Sequence, residues 1–384
     1  MPYPAPQPPE PNLPGPSCPN PNLPVETPSP LLGNTYFCPM KDAKLPTIKE
    51  IAKQLNVSVS TVSRALHDHP GIGLRTRIRV QKLAQELDYE PNQTAIFFKQ
   101  RKTFTIGVVI PNLKEEFFSE AINGIEEMAS QNKYSVLISQ SKDDLERERQ
   151  IITTFKNNRV DGIIVSLSKQ TNSYDHFTAL KKYNIPVVFF DRVPTLPDFN
   201  KVYSNMNSGT REAIEFLIEK GHRRIGVING PEQMRSSKER TETYKQALIK
   251  KRLKIDMGLV VSTDLTRENT REAMQVLLSQ RPRPTAILVI NDYIALDAMQ
   301  YARQQKLKIN KDICFVSYAN LPITSYLENP PMASVEQYPY EQGAKAAEIL
   351  IQLLTKGDKA DKPDSPETFQ NVVINGQLIV HTKR

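Results

Sequence analysis

The sequence predicts a small all-α head followed by an α/β core of two doubly wound parallel-sheet lobes. Three observations carry that prediction. Residues 47–66, TIKEIAKQLNVSVSTVSRAL, show two short apolar stripes at helical period, separated by Asn56-Val57-Ser58. Positive charge gathers nearby: residues 41–102 hold twelve Lys and Arg against six Asp and Glu, so +6 of the chain's +8 lies in this short segment. From Phe104 onward, Val- and Ile-rich runs alternate with amphipathic helices for about 280 residues, the pattern of parallel sheets covered by helices on both faces. That is long for one sheet, so two similar lobes are expected.

Ahead of the head, residues 1–40 carry fourteen of the thirty prolines and show no apolar periodicity. Such a segment buries too little surface to offset its ordering entropy, so residues 1–45 are predicted to be a disordered tail. Met40 stands directly before KDAKLPTIKE and is an expected translation start; a proline-rich ligand for a partner domain is the alternative. Cys18, Cys38 and Cys314 form no spaced cluster, which predicts neither a disulfide framework nor a zinc site and suits a reducing cytoplasm. No apolar run approaches the ~20 residues that span a bilayer, and no basic stretch followed by an apolar one marks export.

The head is expected over 46–91. Thr47 with Glu50 has capping-box spacing, and Ile48, Ile51, Ala52 and Leu55 give an i, i+3, i+4, i+7 face. Ser58 can cap a second helix that turns Val62, Ala65 and Leu66 inward and leaves Val59, Ser60, Thr61, Ser63 and Arg64 outside. Small hydroxyl residues around one arginine make a helix slim enough for a major groove. A solvated helical hairpin has the same pattern, but here the hairpin coincides with the basic segment, which favours a polyanion partner. A third helix, RTRIRVQKLAQELDY, is predicted to face Ile78, Val80, Leu83, Ala84 and Leu87 inward and Arg75, Arg77 and Arg79 outward. Residues 92–103 read as a short basic connector.

In the core, seven strands are read at FTIGVVI, YSVLIS, DGIIVSL, IPVVFF, RRIGVIN, TAILVI and DICFVSY, with a last strand-like stretch, NVVINGQLIVHTKR, at the C-terminus. Ligands in such sheets sit beyond the carboxyl ends of the strands, which points to Asn112, Gln140, Asp191, Gly230, Asn291 and Tyr318.

From residue 47 to the end, the chain resembles the lac repressor/gal repressor family of transcription factors. The 47–66 string, then PG, RV, LDYEPN and TIGVVIP, is highly specific, and DGIIV, IPVVFFDR, GHRRIGVINGP, ILVINDYIALDAM and PPMASVEQ recur in the family's order. The resemblance implies a helix-turn-helix head, a hinge at 92–103 and a two-lobed core at 104–384 like periplasmic sugar-binding proteins. The N-lobe would comprise about 104–204 and 338–363, and the C-lobe about 205–337 and 364–384.

It also implies roles. Val59, Ser60 and Arg64 match base-reading positions, while Thr47, Ser58, Thr61 and Ser63 match phosphate contacts. Phe98 falls where the family places a leucine that wedges into the minor groove; burial of Phe98 against the core is the other reading. Phe117, Phe118, Arg240 and Asp292 match effector-gripping positions, with Asp191, Ser236, Leu265 and Gln337 at other lining positions. For Asp292 a helix N-cap is the competing role, and for Arg240 a pairing with a helix carboxylate. Several family residues are altered: Asn112 stands for an acidic residue, Glu115-Glu116 for Asn-Pro, and Tyr318-Ala319-Asn320 for an aromatic–Asp–Asp pattern.

The implied protein is a cytoplasmic, nucleoid-associated repressor that binds a palindromic operator as a homodimer. A small-molecule effector of carbohydrate type, and no cofactor or metal, would control it. A solute-binding protein for transport is the alternative that the core alone permits. An enzyme is not expected, since no nucleophile elbow, phosphate-cradling glycine loop or metal-ligand spacing occurs. No leucine heptads follow the core, so a dimer is the default assembly.

Overall fold

A computed structural model describes residues 46–90, 102–357 and 368–381. The proline-rich tail and the hinge position Phe98 lie outside them. The head and the core are separate compact units, dividing between Pro91 and Asn92.

The head consists of α1 (Ile48–Leu55), α2 (Val59–Leu66) and α3 (Leu74–Glu86). Thr47 and Glu50 close the capping box: Thr47 N donates to Glu50 Oε2 at 2.8 Å, and Glu50 N donates to Thr47 Oγ1 at 3.4 Å. Asn56 ends α1 in the left-handed conformation (φ 53°), which Asn tolerates better than most residues, and this makes the bend tight. Ile51, Ala52, Val62, Ala65, Val80 and Ala84 form the buried centre. One expectation fails: Ile78 is exposed, and Arg77 turns inward instead. On a 3.6-residue period Ile78 lies about 200° from Val80, whereas Arg77 falls three residues before it and shares its face. Arg77 Nη2 donates to the carbonyl of Ile72 at 3.3 Å.

The core has two six-stranded sheets. The first runs in the order β2 (Ser135–Gln140), β1 (Thr105–Ile110), β3 (Gly162–Val165), β4 (Val187–Phe190), β5 (Asn200–Asn205) and β11 (Asn371–Asn375). The second runs β7 (Val260–Ser262), β6 (Ile225–Asn229), β8 (Ala286–Val289), β9 (Cys314–Tyr318), β10 (Ala333–Glu336) and β12 (Gln377–Val380). All neighbours are parallel except β10 and β12. Helices α4 (Glu116–Gln131), α5 (Leu145–Asn157), α6 (Asp175–Thr178) and α11 (Pro339–Gly357) belong with the first sheet. The second sheet carries α7 (Met206–Glu219), α8 (Arg235–Lys250), α9 (Arg267–Ser279) and α10 (Asp292–Gln304). Helices α4 and α11 touch backbone to backbone, since a Cβ at Gly124 or Gly343 would collide with the carbonyl of Tyr340 or Ala121.

The C-terminal stretch corrects the expected lobe boundary. Instead of one strand within 364–384 of the C-lobe, it splits at Gly376. Asn371–Asn375 pairs in parallel with β5 in the N-lobe, and only Gln377–Val380 joins the C-lobe beside β10. The chain therefore passes between the lobes after Asn205, again between Glu336 and Pro339, and a third time at Gly376.

Candidate operator surface and effector cleft

On the head, the α2 residues matched to base reading are exposed. Val59 is 42% exposed, and Ser60 and Arg64 are exposed beside it. Ser58 organises the hydroxyls: Thr61 N donates to its Oγ at 3.1 Å, capping α2, and the hydroxyls of Ser60 and Thr61 lie 2.8 Å from the same oxygen. Thr47 stands exposed at the start of α1, and Ser63 is partly covered. Arg64 makes no ion pair among the described residues. A guanidinium without an internal partner keeps its donors for an external acceptor.

In the core, a cavity of about 390 Å³ opens between the lobes, at the carboxyl ends of both sheets. Phe117, Phe118, Asp191, Ser236, Arg240, Leu265 and Gln337 all line it. Phe118 is buried and packs edge-on against Phe117 (5.3 Å) and Phe190 (6.3 Å), so Phe117 offers the more accessible ring. Asp191 follows β4 in the left-handed conformation (φ 56°) and accepts a bond from Ser166 Oγ at 3.3 Å. Burial pushes its pKa up to about 6; Glu115 and Asp143 add repulsion, which Arg192 and Ser166 oppose.

Arg240, on α8, is only 3% exposed. It donates from Nη1 to Asn229 Oδ1 rather than to a helix carboxylate, and its guanidinium lies 4.5 Å from the centre of the Tyr318 ring. Tyr318 is fixed in turn by a 2.6 Å hydrogen bond to Thr210. Arg240 Nε has no hydrogen-bond partner among the described residues. A buried donor left unpaired is costly, by about 1–3 kcal/mol.

Asp292 does not belong to this wall. Its carboxylate is fully buried, with Oδ1 accepting from Ser317 and Ser334 and Oδ2 accepting from Leu321 N at 2.7 Å. Its three donors come from β9, β10 and the loop after β9, and the side chain is buried behind the cavity lining. It does not cap α10 either, for Asn291 does so through Ile294 N at 2.8 Å. Asn112 and Gln140 shape the loop after β1 by accepting from Lys114 N and Leu113 N. Arg192 went unmarked although it adjoins Asp191 in FFDR, and the strand-end rule stopped at Gln140, three residues short of Asp143.

A family model described as bacterial regulatory proteins of the lacI family matches residues 47–92, and one described as periplasmic binding proteins and the sugar binding domain of the LacI family matches 103–378. The chain belongs to the LacI family. Catabolite control protein A of Priestia megaterium is 30% identical over 81% of this chain and 93% of its own length. The repressor CytR of Escherichia coli K12 is 31% identical over 81% of this chain and 90% of its own. The solved structure of a transcriptional regulator CelR–cellobiose complex superposes with a TM-score of 0.64 at 25% identity, covering 88% of this chain and all of that one. As a LacI-family transcriptional regulator, the protein joins a DNA-binding head to an effector-binding core, and the head rules against a transport solute-binding protein. None of the described helices is long and apolar enough to cross a membrane.

Proposed function

We propose that the protein represses transcription in the cytoplasm as a homodimer on a palindromic operator, released or recruited by a carbohydrate-class effector in the interlobe cavity. Arg64 donates bidentately to a guanine, worth ~1–3 kcal/mol of discrimination, while Val59 meets a thymine methyl and Ser60 lies at a base edge. Thr47, Ser58, Thr61 and Ser63 set the register through phosphates. Phe98 is the residue we assign to the minor-groove wedge. In the core, Phe117 supplies an apolar face for a sugar ring, Asp191 and Arg240 hold hydroxyls from opposite lobes, and Ser236 adds a polar contact.

The observation that carries this reading is a cavity walled by both lobes and lined by Phe117 and Asp191 from one and Arg240 from the other. A ligand that contacts both walls binds one lobe arrangement better than another, and only such differential affinity can shift an equilibrium. Effector and operator affinities are then linked reciprocally.

The test is fluorescence anisotropy with fragments of the chain's own promoter region, against random duplex, with and without a panel of sugars and nucleosides. Preferred binding that weakens steeply with salt and shifts with one ligand class is expected. Equal affinity for all duplexes, or no ligand response in a chain that melts normally, would sink the reading.

A further inference from the structure

Two cations, Lys169 and Arg192, reach the N-lobe side of the cavity. A lysine and an arginine facing a ligand cleft are the ordinary means of holding a phosphate or carboxylate. Here both are already engaged. Asp143, in the loop between β2 and α5, sends Oδ1 to Arg192 Nη1 at 2.6 Å and Oδ2 to Lys169 Nζ at 3.2 Å, and it also accepts from the Lys169 backbone N at 3.0 Å. Asp143 is not itself on the cavity wall, so it neutralises the two cations from behind. The loop is held in an uncommon shape to do so: Lys142 and Asp143 are both left-handed (φ 53° and 61°), a conformation that persists only where the surroundings enforce it. Burial alone would raise the Asp143 pKa; Arg192 and Lys169 outweigh it and hold the carboxyl below its ordinary range.

On the cavity side, Arg192 meets further negative charge, with Asp191 Oδ2 and Glu115 Oε2 each 3.9 Å from a guanidinium nitrogen. Arg192 thus meets three carboxylates, Asp143, Asp191 and Glu115, and Lys169 shares the first of them. This wall offers acceptors, and the opposite wall carries Arg240.

We propose that Asp143 sets the chemical class of the effector. By occupying Lys169 and Arg192, it makes the N-lobe wall a surface for hydroxyls or a basic nitrogen and closes it to anionic groups. The effector is therefore an unphosphorylated polyol or amino sugar and not a sugar phosphate. Asp143 acts through its two partners and touches no ligand, so it is a positioning residue. The proposal rests on the cavity being the effector site.

The experiment uses the full chain and follows thermal shift and calorimetric titration with inorganic phosphate and glucose 6-phosphate at constant ionic strength. Wild type is expected to show no saturable response that depends on Arg192. Asp143→Asn removes the charge that neutralises both cations from behind and is expected to bind phosphate at least about tenfold tighter, the scale of removing one like charge from a partly buried anion site. Adding Arg192→Gln to that variant should abolish the gain, which separates the cleft from anion binding by the basic head. An Asp143→Asn chain that melts as a folded protein yet gains nothing overturns the proposal. So does a wild-type phosphate site lost in Arg192→Gln, and that arm stands even where Asp143→Asn fails to fold. The operator assay reads the effector site separately: release by a phosphorylated sugar would refute the role of Asp143 while upholding the cavity.

Discussion

The head and the core place their candidate chemistry on opposite sides of their own surfaces. In the head, Val59, Ser60 and Arg64 project from short helices whose buried centre is six apolar side chains. Every buried polar or charged residue among the described ones lies in the core, including Arg240, Asn229, Glu148 and Asp292. The head can therefore change what it reads at little cost to its fold, because surface substitutions usually move stability by less than ~0.5 kcal/mol. The core cannot alter its ligand chemistry without disturbing groups on which its packing depends, since a polar partner lost from the interior leaves its neighbours unsatisfied.

The strongest challenge to that contrast is Asp292. Asp292→Ala leaves the Leu321 N–H without its acceptor and the Ser317 and Ser334 hydroxyls with only each other in the C-lobe, and should cost about 1–3 kcal/mol by denaturant unfolding. Loss of ligand affinity with unchanged stability would instead return Asp292 to the binding wall. Arg64→Ala is the opposite case in the head. Stability should stay within about 0.5 kcal/mol, while competition between operator variants shows ~1–3 kcal/mol less discrimination at one base pair of each half-site. A uniform loss of affinity across all sequences would make Arg64 a phosphate contact.

A pH series sharpens the comparison further. Asp191 titrates near 6 in the folded core, and in the unfolded chain it returns to the ordinary carboxylate value. Between those values the folded state holds a proton that the unfolded state has lost, so this residue's contribution makes stability fall as pH rises toward 6 and then level off. Asp191→Asn should remove that slope, as read from unfolding midpoints on either side of pH 6. Ligand affinity should move the other way, because hydroxyls donate best to the ionised carboxylate. It should drop by up to about tenfold per pH unit below the Asp191 value. An affinity flat through that range would remove Asp191 from the ligand contacts.

What could be read from the sequence follows how local each feature is. The Thr47–Glu50 box, the Ser58 cap and the Val-rich strands are set by neighbours within one helical turn or one strand, and each forms as the spacing requires. The strands β5, β7 and β10 escaped the pattern: β5 is NKVYSN, whose buried Lys201 extends its ammonium to the carbonyls of Pro194 and Leu196, so hydropathy hides it. Ile78 is apolar but lies about 200° around the helix from Val80, so its hydropathy and its position disagree. In the cleft, Arg240 was legible from the family resemblance, whereas Asp143 and Arg192 meet across 49 residues and Asp292 receives donors from 25 to 42 residues away. No spacing rule reaches contacts of that span.

The smallest expected effect belongs to Ser58, where cap and proposed phosphate contact share one oxygen. Its Oγ accepts from Thr61 N and gathers the Ser60 and Thr61 hydroxyls. Ser58→Ala should cost the head about 1 kcal/mol, and Ser58→Gly only a few tenths, because glycine leaves the turn open to water. Neither change alters the buried centre of the head. If Ser58 serves only as a cap, operator affinity falls no further than helix stability does, and glycine restores most of it. If the oxygen also holds a phosphate, both variants lose the same increment of operator affinity, and the loss persists in Ser58→Gly at a stability close to wild type. Comparing the two variants by head unfolding and by operator titration therefore separates two roles that meet on one oxygen.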